Sequence, residues 1–306
     1  MSTIAERQKD GTEDYKIVAR HISRVFHAKH LGDRKREFTA VKDLNLNVKK
    51  GEFVTIVGPS GCGKSTFLDI LAGLSEPSSG EIFIDGRRIT GPALDRGIVL
   101  QGYALFPWRT VRQNIEYGLE IKKVKKANRK AISDHFIDLV ELNAFADNYP
   151  YELSGGMKQR VAIARALAYD PEVLLMDEPF AAVDAQTRET LQDELLNIWE
   201  KTGKTIIFIT HSIEEAVFLA DRVAVMSSSP GYIKRILTVE LPRPRRSGDT
   251  RNSIEFSRIT GLVWNLLHDI NGEGVRPEEQ EGPPLWPYKG IGENGAKKQG
   301  LDSAAL

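Results

Sequence analysis

Residues 58–66, Gly-Pro-Ser-Gly-Cys-Gly-Lys-Ser-Thr, have the types and spacing of a phosphate-binding loop. The run matches the pattern G-x-x-x-x-G-K-[ST], with an apolar strand predicted before it and a helix after it. Glycine lets backbone N–H groups curl around an anion, and the start of a helix attracts negative charge. The pattern favours a bound nucleotide over a glycine turn without a ligand. The residues predicted to bind it are Gly58, Pro59, Ser60, Gly61, Cys62, Gly63, Lys64, Ser65 and Thr66.

Within this loop, Lys64 is placed to reach the β- and γ-phosphates, and the Ser65 hydroxyl is placed to ligate Mg²⁺. Cys62 is the one cysteine of the chain. Because it lies inside the loop, we expect alkylation of its thiol to inhibit the protein and a bound nucleotide to protect it.

Two acids follow the apolar strand predicted at residues 173–176. Carboxylates at the end of a buried strand are costly unless they meet a cation, although two acids in solvent are the alternative. Asp177 is placed to hold Mg²⁺, directly or through water. Glu178 is placed to orient and deprotonate an attacking water.

A third stretch, residues 153–160, reads Leu-Ser-Gly-Gly-Met-Lys-Gln-Arg. Ser154 is a good N-cap for a helix that runs to about Ala168. Gly155 and Gly156 are poor residues for a first helical turn unless the backbone must approach something closely. A phosphate is the natural candidate.

Alternating strands and helices must position these residues. Strands are expected at 16–22, 38–49, 53–57, 97–100, 173–176, 205–209 and 223–226, with a hairpin at 80–89 that turns at Asp85-Gly86. Helices are expected within 110–168 and at 186–200, 213–220 and 253–269. This alternation predicts an α/β domain with a parallel sheet, whose ligands bind at the carboxyl ends of its strands. The glycine loop, Gln101, the two acids and His211 each follow a predicted strand, so we expect them to converge.

Composition limits the class of protein. The 306 residues carry 42 basic and 42 acidic side chains, and this zero net charge argues against a nucleic-acid partner. No apolar run is long enough to span a membrane. Residues 1–14 are expected to form a mobile leader and residues 241–270 a helical C-terminal extension. Residues 271–306 hold seven Gly and four Pro and are expected to be disordered.

These motifs make residues 15–240 resemble the ATP-binding-cassette (ABC) ATPases. Residues 58–66 resemble their Walker A loop, residues 173–178 Walker B, and residues 153–159 the signature sequence that other P-loop ATPases lack. Gln101 resembles the Q-loop glutamine and His211 the switch histidine. Asp184 resembles the D-loop aspartate, although Ala-Ala-Val precedes it where Ser-Ala-Leu is commoner.

The resemblance implies a P-loop NTPase (RecA-like) core with a parallel sheet, an antiparallel β subdomain and an α-helical signature subdomain at about 102–168. It implies that two cassettes face head to tail and enclose two ATP molecules. Ser154, Gly155 and Gly156 of one chain would then bind the γ-phosphate held by Lys64 of the other, with Asp184 nearby.

Further roles are carried over by the same resemblance. Gln101 joins Ser65 and Asp177 as a ligand of Mg²⁺, and His211 contacts the γ-phosphate. Phe26 resembles the aromatic residue that stacks on adenine; Phe38 is the rival, and either ring could be core.

Residues 103–108, Tyr-Ala-Leu-Phe-Pro-Trp, resemble the importer ATPases of the nitrate/sulfonate/taurine type. This implies a groove around residues 101–108 for a cytoplasmic helix of a membrane permease, although the apolar cluster could instead fill core. Gly102 stands where relatives often carry an acid, so the charge of that groove is left open. An extracytoplasmic solute-binding protein would act through the permease. The chain would lie peripherally on the cytoplasmic face of the inner membrane.

Two other functions compete with import. One is a soluble ABC ATPase of non-transport type, for example in iron–sulphur assembly. The other is a nucleotide-dependent scaffold without turnover, which the presence of both Glu178 and His211 argues against.

Overall fold

The computed structural model describes residues 15–28, 36–181 and 183–268, all within one compact unit. Its strands are β1 (Tyr15–Ala28), β2 (Arg36–Lys49), β3 (Phe53–Val57), β4 (Ser79–Ile84), β5 (Arg87–Arg88), β6 (Arg96–Val99), β7 (Val173–Asp177), β8 (Thr205–Thr210), β9 (Arg222–Met226) and β10 (Ile233–Thr238). Its α-helices are α1 (Lys64–Ala72), α2 (Val111–Ile121), α3 (Lys126–Leu139), α4 (Gly155–Ala168), α5 (Ala185–Thr202), α6 (Ile213–Leu219), α7 (Ser247–Arg251) and α8 (Ile254–His268). The leader and tail expected at 1–14 and 271–306 lie outside the described residues.

The larger sheet has the strand order β10-β9-β3-β8-β7-β6. Its strands are parallel except β10, which pairs antiparallel with β9. In β8, Ile206 and Phe208 pack into one core cluster, whereas Ile207 and Ile209 pack into the other. A strand covered on both faces needs apolar residues at every position, which explains the continuous apolar runs in the sequence. The predicted α/β fold with a parallel sheet is confirmed.

The second sheet is antiparallel, with the order β2-β1-β4-β5. Together with α1 it covers one face of the larger sheet, and residues of α4, α5, α6 and α8 cover the other. Asp85 and Gly86 join β4 to β5, and both have positive φ, 48° and 70°. Two left-handed residues make the tight hairpin turn that matches the twist of the strands, so the predicted hairpin is confirmed.

Some element predictions were incomplete. Strand β10 was not predicted, because no residue in it is fully buried and its apolar pattern is weak. Strand β1 runs beyond the predicted 16–22, since register shifts against β2 break the alternation that marks a strand.

The C-terminal extension is attached to α6 by two arginines. Arg245 is buried and donates hydrogen bonds to the carbonyls of Phe218 and Ala220, at 2.9 and 2.8 Å. Burial lowers its pKa to about 10. Arg243 pairs with Asp221 at 2.7 Å. None of the helices in the described part of the chain is long and apolar enough to cross a membrane.

We expect Arg245→Met to lower the free energy of unfolding by about 2–4 kcal/mol, because several buried carbonyls lose a charged donor. The matched control is Arg246→Met, which removes the exposed neighbouring side chain and should change stability by less than about 0.5 kcal/mol. Urea unfolding followed by circular dichroism measures both. Equal stabilities of the two variants would show that Arg245 does not hold the extension.

Candidate active site

The glycine loop joins β3 to α1, as its sequence predicts. Gly63 caps α1 with φ 95°, and a Cβ on it would lie 2.6 Å from the carbonyl oxygen of Ala40. Both the left-handed backbone and the close approach of β2 therefore require glycine at this position. The N-terminus of α1 opens directly into the loop, so its N–H groups are available to an anion.

Lys64 has its ammonium group folded into this loop. The side chain is buried and donates to the carbonyls of Gly58 and Pro59, at 2.9 and 3.1 Å. These partners are neutral, so the positive charge of Lys64 is satisfied but not neutralised. A phosphate oxygen would be a stronger partner for the same donor, because its negative charge adds a Coulombic attraction that a neutral carbonyl lacks.

Ser65 and Asp177 are brought together across the sheet. The Ser65 hydroxyl donates to Asp177 Oδ1 at 3.2 Å. Burial raises the pKa of the Asp177 carboxyl, and the neighbouring charges of Glu178 and Asp69 push the pKa in the same direction. A bound cation would favour the ionised carboxylate and so offset this rise in pKa. Hydroxyl and carboxylate oxygens are donors that suit Mg²⁺. Within the described residues, no group of three or more His, Cys, Asp or Glu side chains could hold a metal by itself.

Glu178 and His211 meet at the carboxyl ends of β7 and β8. His211 Nδ1 lies 3.2 Å from Glu178 Oε2, and the Glu178 N–H donates to the carbonyl of Ile209 at 3.0 Å. Glu178 has φ 44°, a left-handed conformation that costs a non-glycine residue about 1–3 kcal/mol. The adjacent parallel strands hold this backbone in place.

Gln101 lies in an exposed turn just beyond the edge strand β6. Among the described residues it makes no hydrogen bond to Asp177 at the end of the neighbouring strand β7, or to Ser65, which follows β3 beyond β7 and β8. The next three residues, 102–104, all have positive φ. Arg165 of α4 holds this backbone by donating to the carbonyls of Tyr103 and Ala104, at 3.0 and 2.6 Å.

Ser154 caps α4 as predicted, since its hydroxyl accepts a hydrogen bond from the Met157 N–H at 3.3 Å. The two glycines that follow have a packing reason that the sequence did not reveal. A Cβ on Gly156 would lie 2.8 Å from the Thr187 methyl of α5, and one on Gly155 would lie 3.2 Å from the Tyr103 hydroxyl. A Cβ at position 156 would therefore force Thr187 to shift, whereas one at position 155 would displace the end of the Tyr103 side chain by only a few tenths of an ångström.

Asp184 caps α5 by accepting a hydrogen bond from the Thr187 N–H at 3.0 Å. That backbone hydrogen bond lowers the pKa of the Asp184 carboxyl. This helix-capping role can be read from the geometry, whereas a role near a nucleotide remains a prediction.

Phe26 and Phe38 are direct cross-strand partners in β1 and β2. Their side chains are 41% and 52% exposed, so neither is core. Arg24 lies 4.8 Å from the centre of the Phe26 ring, and Phe38 lines a surface pocket together with Lys42 and other residues. Both rings remain candidates for stacking on adenine.

The aromatic cluster at residues 103–108 lies partly on the surface. The Phe106 ring is 4.5 Å from that of Tyr117 and 5.7 Å from that of Trp108. Trp108 is 71% exposed, so it does not fill core. Its ring is available to a partner.

Sequence reasoning missed a polar pair behind the switch histidine, Gln192 and Glu215, which are both buried. The spacing of Ser212 and Glu215 is that of a capping box and could have drawn attention to it. The Glu215 carboxyl, however, accepts a hydrogen bond from Gln192 at 2.8 Å.

Comparison with known proteins agrees with this geometry. Residues 41–181 match the family model described as ABC transporter. The chain is 52% identical to the nitrate import ATP-binding protein NrtD of Synechocystis sp., over 85% of this chain and 96% of that protein. It is 45% identical to the taurine import ATP-binding protein TauB of Roseobacter denitrificans, over 76% of this chain and 90% of that protein.

A solved structure described as a dimeric, post-hydrolysis state of the ATP-binding cassette MJ0796, bound to ADP and Pi, has the same fold. It is 33% identical, with a TM-score of 0.63, and the match covers 73% of this chain and 98% of that one. The loop, the strand-end acids and the sheet define an ATP-hydrolysing P-loop cassette. The chain belongs to the ABC transporter family, as an ATP-binding subunit that hydrolyses ATP.

The burial of Cys62 bears on one expectation. Its side chain is only 1% exposed and packs into the core beneath the loop, and burial raises the pKa of its thiol. The thiolate is the reactive form, so both access and ionisation are suppressed. Both findings argue against rapid alkylation of the folded chain, on which the expected inhibition and its protection by ATP depend, and that expectation stays a prediction.

We expect iodoacetamide at pH 8 to label native Cys62 at least about 100-fold more slowly than the urea-unfolded chain, with or without ATP. Because the chain has one cysteine, thiol titration reports this site alone. Rapid labelling of the native chain that ATP suppresses would support the original expectation.

Proposed function

We propose that this ABC ATPase powers the import of a small anion, such as nitrate, a sulfonate or taurine, through a membrane permease. The named import proteins NrtD and TauB resemble the chain over most of their length. The exposed Trp108 beside the Phe106–Tyr117 pair supports the same proposal, because an exposed aromatic cluster is suited to a protein partner.

In this proposal, ATP binds with its phosphates in the loop at 58–66, where Lys64 turns from the loop carbonyls to the phosphate oxygens. Ser65 and Asp177 hold Mg²⁺, and Gln101 joins them when its exposed turn moves inward. Mg²⁺ would offset the charge of the phosphates. Phe26 or Phe38 stacks on adenine.

Glu178 then accepts the proton of the attacking water, and His211 holds the Glu178 carboxylate at the carboxyl ends of the strands. The 3.2 Å contact between these two side chains is the observation that carries this step. A second ATPase subunit, identical or related, supplies Ser154, Gly155, Gly156 and Asp184 to the same ATP. The site is therefore complete only in a dimer.

The proposal also includes the surface that contacts the permease and the boundaries of the domains. The permease contacts residues 101–108, and an extracytoplasmic solute-binding protein acts through it. The chain lies peripherally on the cytoplasmic face of the inner membrane. Residues 15–240 form the ATPase domain with a helical subdomain at about 102–168, and residues 241–270 form the extension. No nucleic acid takes part, since the net charge is zero.

We expect Glu178→Gln to bind ATP but to hydrolyse it at least about 100-fold more slowly, because the amide cannot accept a proton. Size-exclusion chromatography with ATP should then show a long-lived dimer. Glu200→Gln, at an exposed position of α5, is the control and should hydrolyse ATP normally. Unimpaired turnover by Glu178→Gln would rule out its role as the base.

We expect Trp108→Ala to weaken binding of the co-expressed permease by about 10-fold or more, since exposed tryptophans often dominate interfaces. Basal ATPase of the isolated subunit should change less than about twofold. Co-purification of the membrane partner, followed by nitrate, sulfonate and taurine stimulation of ATPase, tests the transported class. Stimulation by none of these anions would contradict anion import, and equal loss of binding and basal ATPase would contradict a docking role.

A further inference from the structure

A buried polar cluster lies behind the loop that carries His211. Glu215 of α6, Gln192 of α5 and Thr210 at the end of β8 are all at most 5% exposed. None of them has a role in the site described above. A buried carboxyl outside that site calls for an explanation, because such groups are stable only when their hydrogen bonds are satisfied.

Gln192 links this carboxyl to the C-terminal extension. Its amide N–H donates to Glu215 Oε1 at 2.8 Å, and its amide oxygen accepts a hydrogen bond from Arg251 of α7. The Arg251 guanidinium also lies 4.5 Å from the centre of the Phe218 ring and 3.9 Å from Glu214. An amide side chain can accept from a cation and donate to a carboxylate at the same time.

Several groups act on the Glu215 carboxyl. Burial raises its pKa, while hydrogen bonds from Thr210 and Gln192 and the charges of Arg188 and His211 favour the ionised form. Arg188 also donates to the carbonyl of Val183 at 2.8 Å, immediately before Asp184. Through Thr210 the carboxyl is therefore linked to the loop that carries His211. Through Arg188 it is linked to the loop that follows Glu178.

From Glu215 the contacts continue to His211. The Ser212 hydroxyl accepts a hydrogen bond from the Glu215 N–H at 3.3 Å, and the Ser212 N–H donates to the Thr210 hydroxyl at 3.0 Å. These bonds fix the backbone on both sides of His211, which lies 3.2 Å from Glu178. The result is a continuous series of contacts from the C-terminal extension to the proposed base.

We propose that Arg251, Gln192 and Glu215 are positioning residues through which the C-terminal extension sets the rate of ATP hydrolysis. Arg251 orients the Gln192 amide, Gln192 orients the Glu215 carboxyl, and Glu215 fixes the switch loop that aims His211 at Glu178. A displaced α7 would leave Gln192 and Glu215 without their full set of partners. This inference rests on the role proposed for His211.

The first test compares Arg251→Met and Gln192→Glu in the full-length chain. Arg251→Met removes the donor at one end of the series. Gln192→Glu keeps an acceptor for Arg251 but replaces the donor to Glu215 by a second carboxyl. Each variant should lower kcat for ATP hydrolysis by about 2- to 30-fold, the range typical of residues that modulate a coupled site. The affinity for ATP should stay within about twofold, since neither residue touches the phosphates.

Matched controls separate positioning from stability. Arg258→Met removes an exposed arginine of the same extension, which pairs only with Glu255 in the described contacts, and should leave kcat unchanged. Arg251→Lys retains a cationic donor and should recover part of the lost rate. Thermal unfolding gives the folded fraction used to normalise kcat. Normalised kcat values for Arg251→Met and Gln192→Glu within about twofold of the parent would overturn the proposal.

A double-mutant cycle identifies the route. In a His211→Ala background, single-turnover hydrolysis should show no further loss from Arg251→Met, because the series ends at His211. If Arg251→Met slowed hydrolysis by the same factor in the His211→Ala background as in the parent, a route through His211 would be overturned. Normal hydrolysis by His211→Ala alone would overturn the role proposed for His211, and this inference with it. If His211→Ala hydrolysed ATP slowly but Arg251→Met hydrolysed it at the normal rate, only the positioning role of Arg251, Gln192 and Glu215 would be overturned.

Discussion

The hydrogen bond from Ser65 to Asp177 connects the phosphate loop to the acidic end of β7, and the rest of the site depends on this connection. On the loop side, Lys64 is buried and its hydrogen-bond partners, two carbonyls and the Cys62 sulfur, are neutral. On the strand side, the pKa of Asp177 is raised by burial and by neighbouring acids. A buried cation and a half-buried acid are thus held near each other, each incompletely compensated. This arrangement is suited to receive an anion and a cation together, as in Mg²⁺-bound ATP.

The packing of the two sheets and the helices maintains this arrangement. Apolar side chains cover both faces of the parallel strands, so the strand ends that carry Asp177, Glu178 and His211 cannot shift independently. The left-handed backbone at Glu178 is held by the hydrogen bond from its N–H to the carbonyl of Ile209. Arg245 fixes the extension to the end of α6, while Arg251 lies 3.9 Å from Glu214 near its beginning. One short helix therefore carries contacts from the C-terminal extension to the switch histidine.

The parallel core could be predicted from the sequence, because strands buried on both faces are apolar throughout. Four of these strands are also followed by a recognisable site residue: the glycine loop, Gln101, the two acids or His211. The sequence was also sufficient to bring Glu178 and His211 together, since neighbouring parallel strands end at the same edge. It was insufficient for β10, whose half-exposed residues show no clear period. The direction of the Cys62 side chain and the contact of Gly156 with Thr187 depend on distant elements, and no local pattern contains them. Gln192 was missed for the same reason, whereas the capping-box spacing of Ser212 and Glu215 was a local signal that pointed only to Glu215.

The buried position of Cys62 has a practical consequence for spectroscopy. A folded chain whose one native thiol is inaccessible is already a silent background for site-directed labelling. A cysteine introduced at an exposed position, such as Trp264 of α8, would be the reactive thiol of the native protein. Spin or fluorescent labels could then report distances between two subunits without first replacing a residue of the phosphate loop.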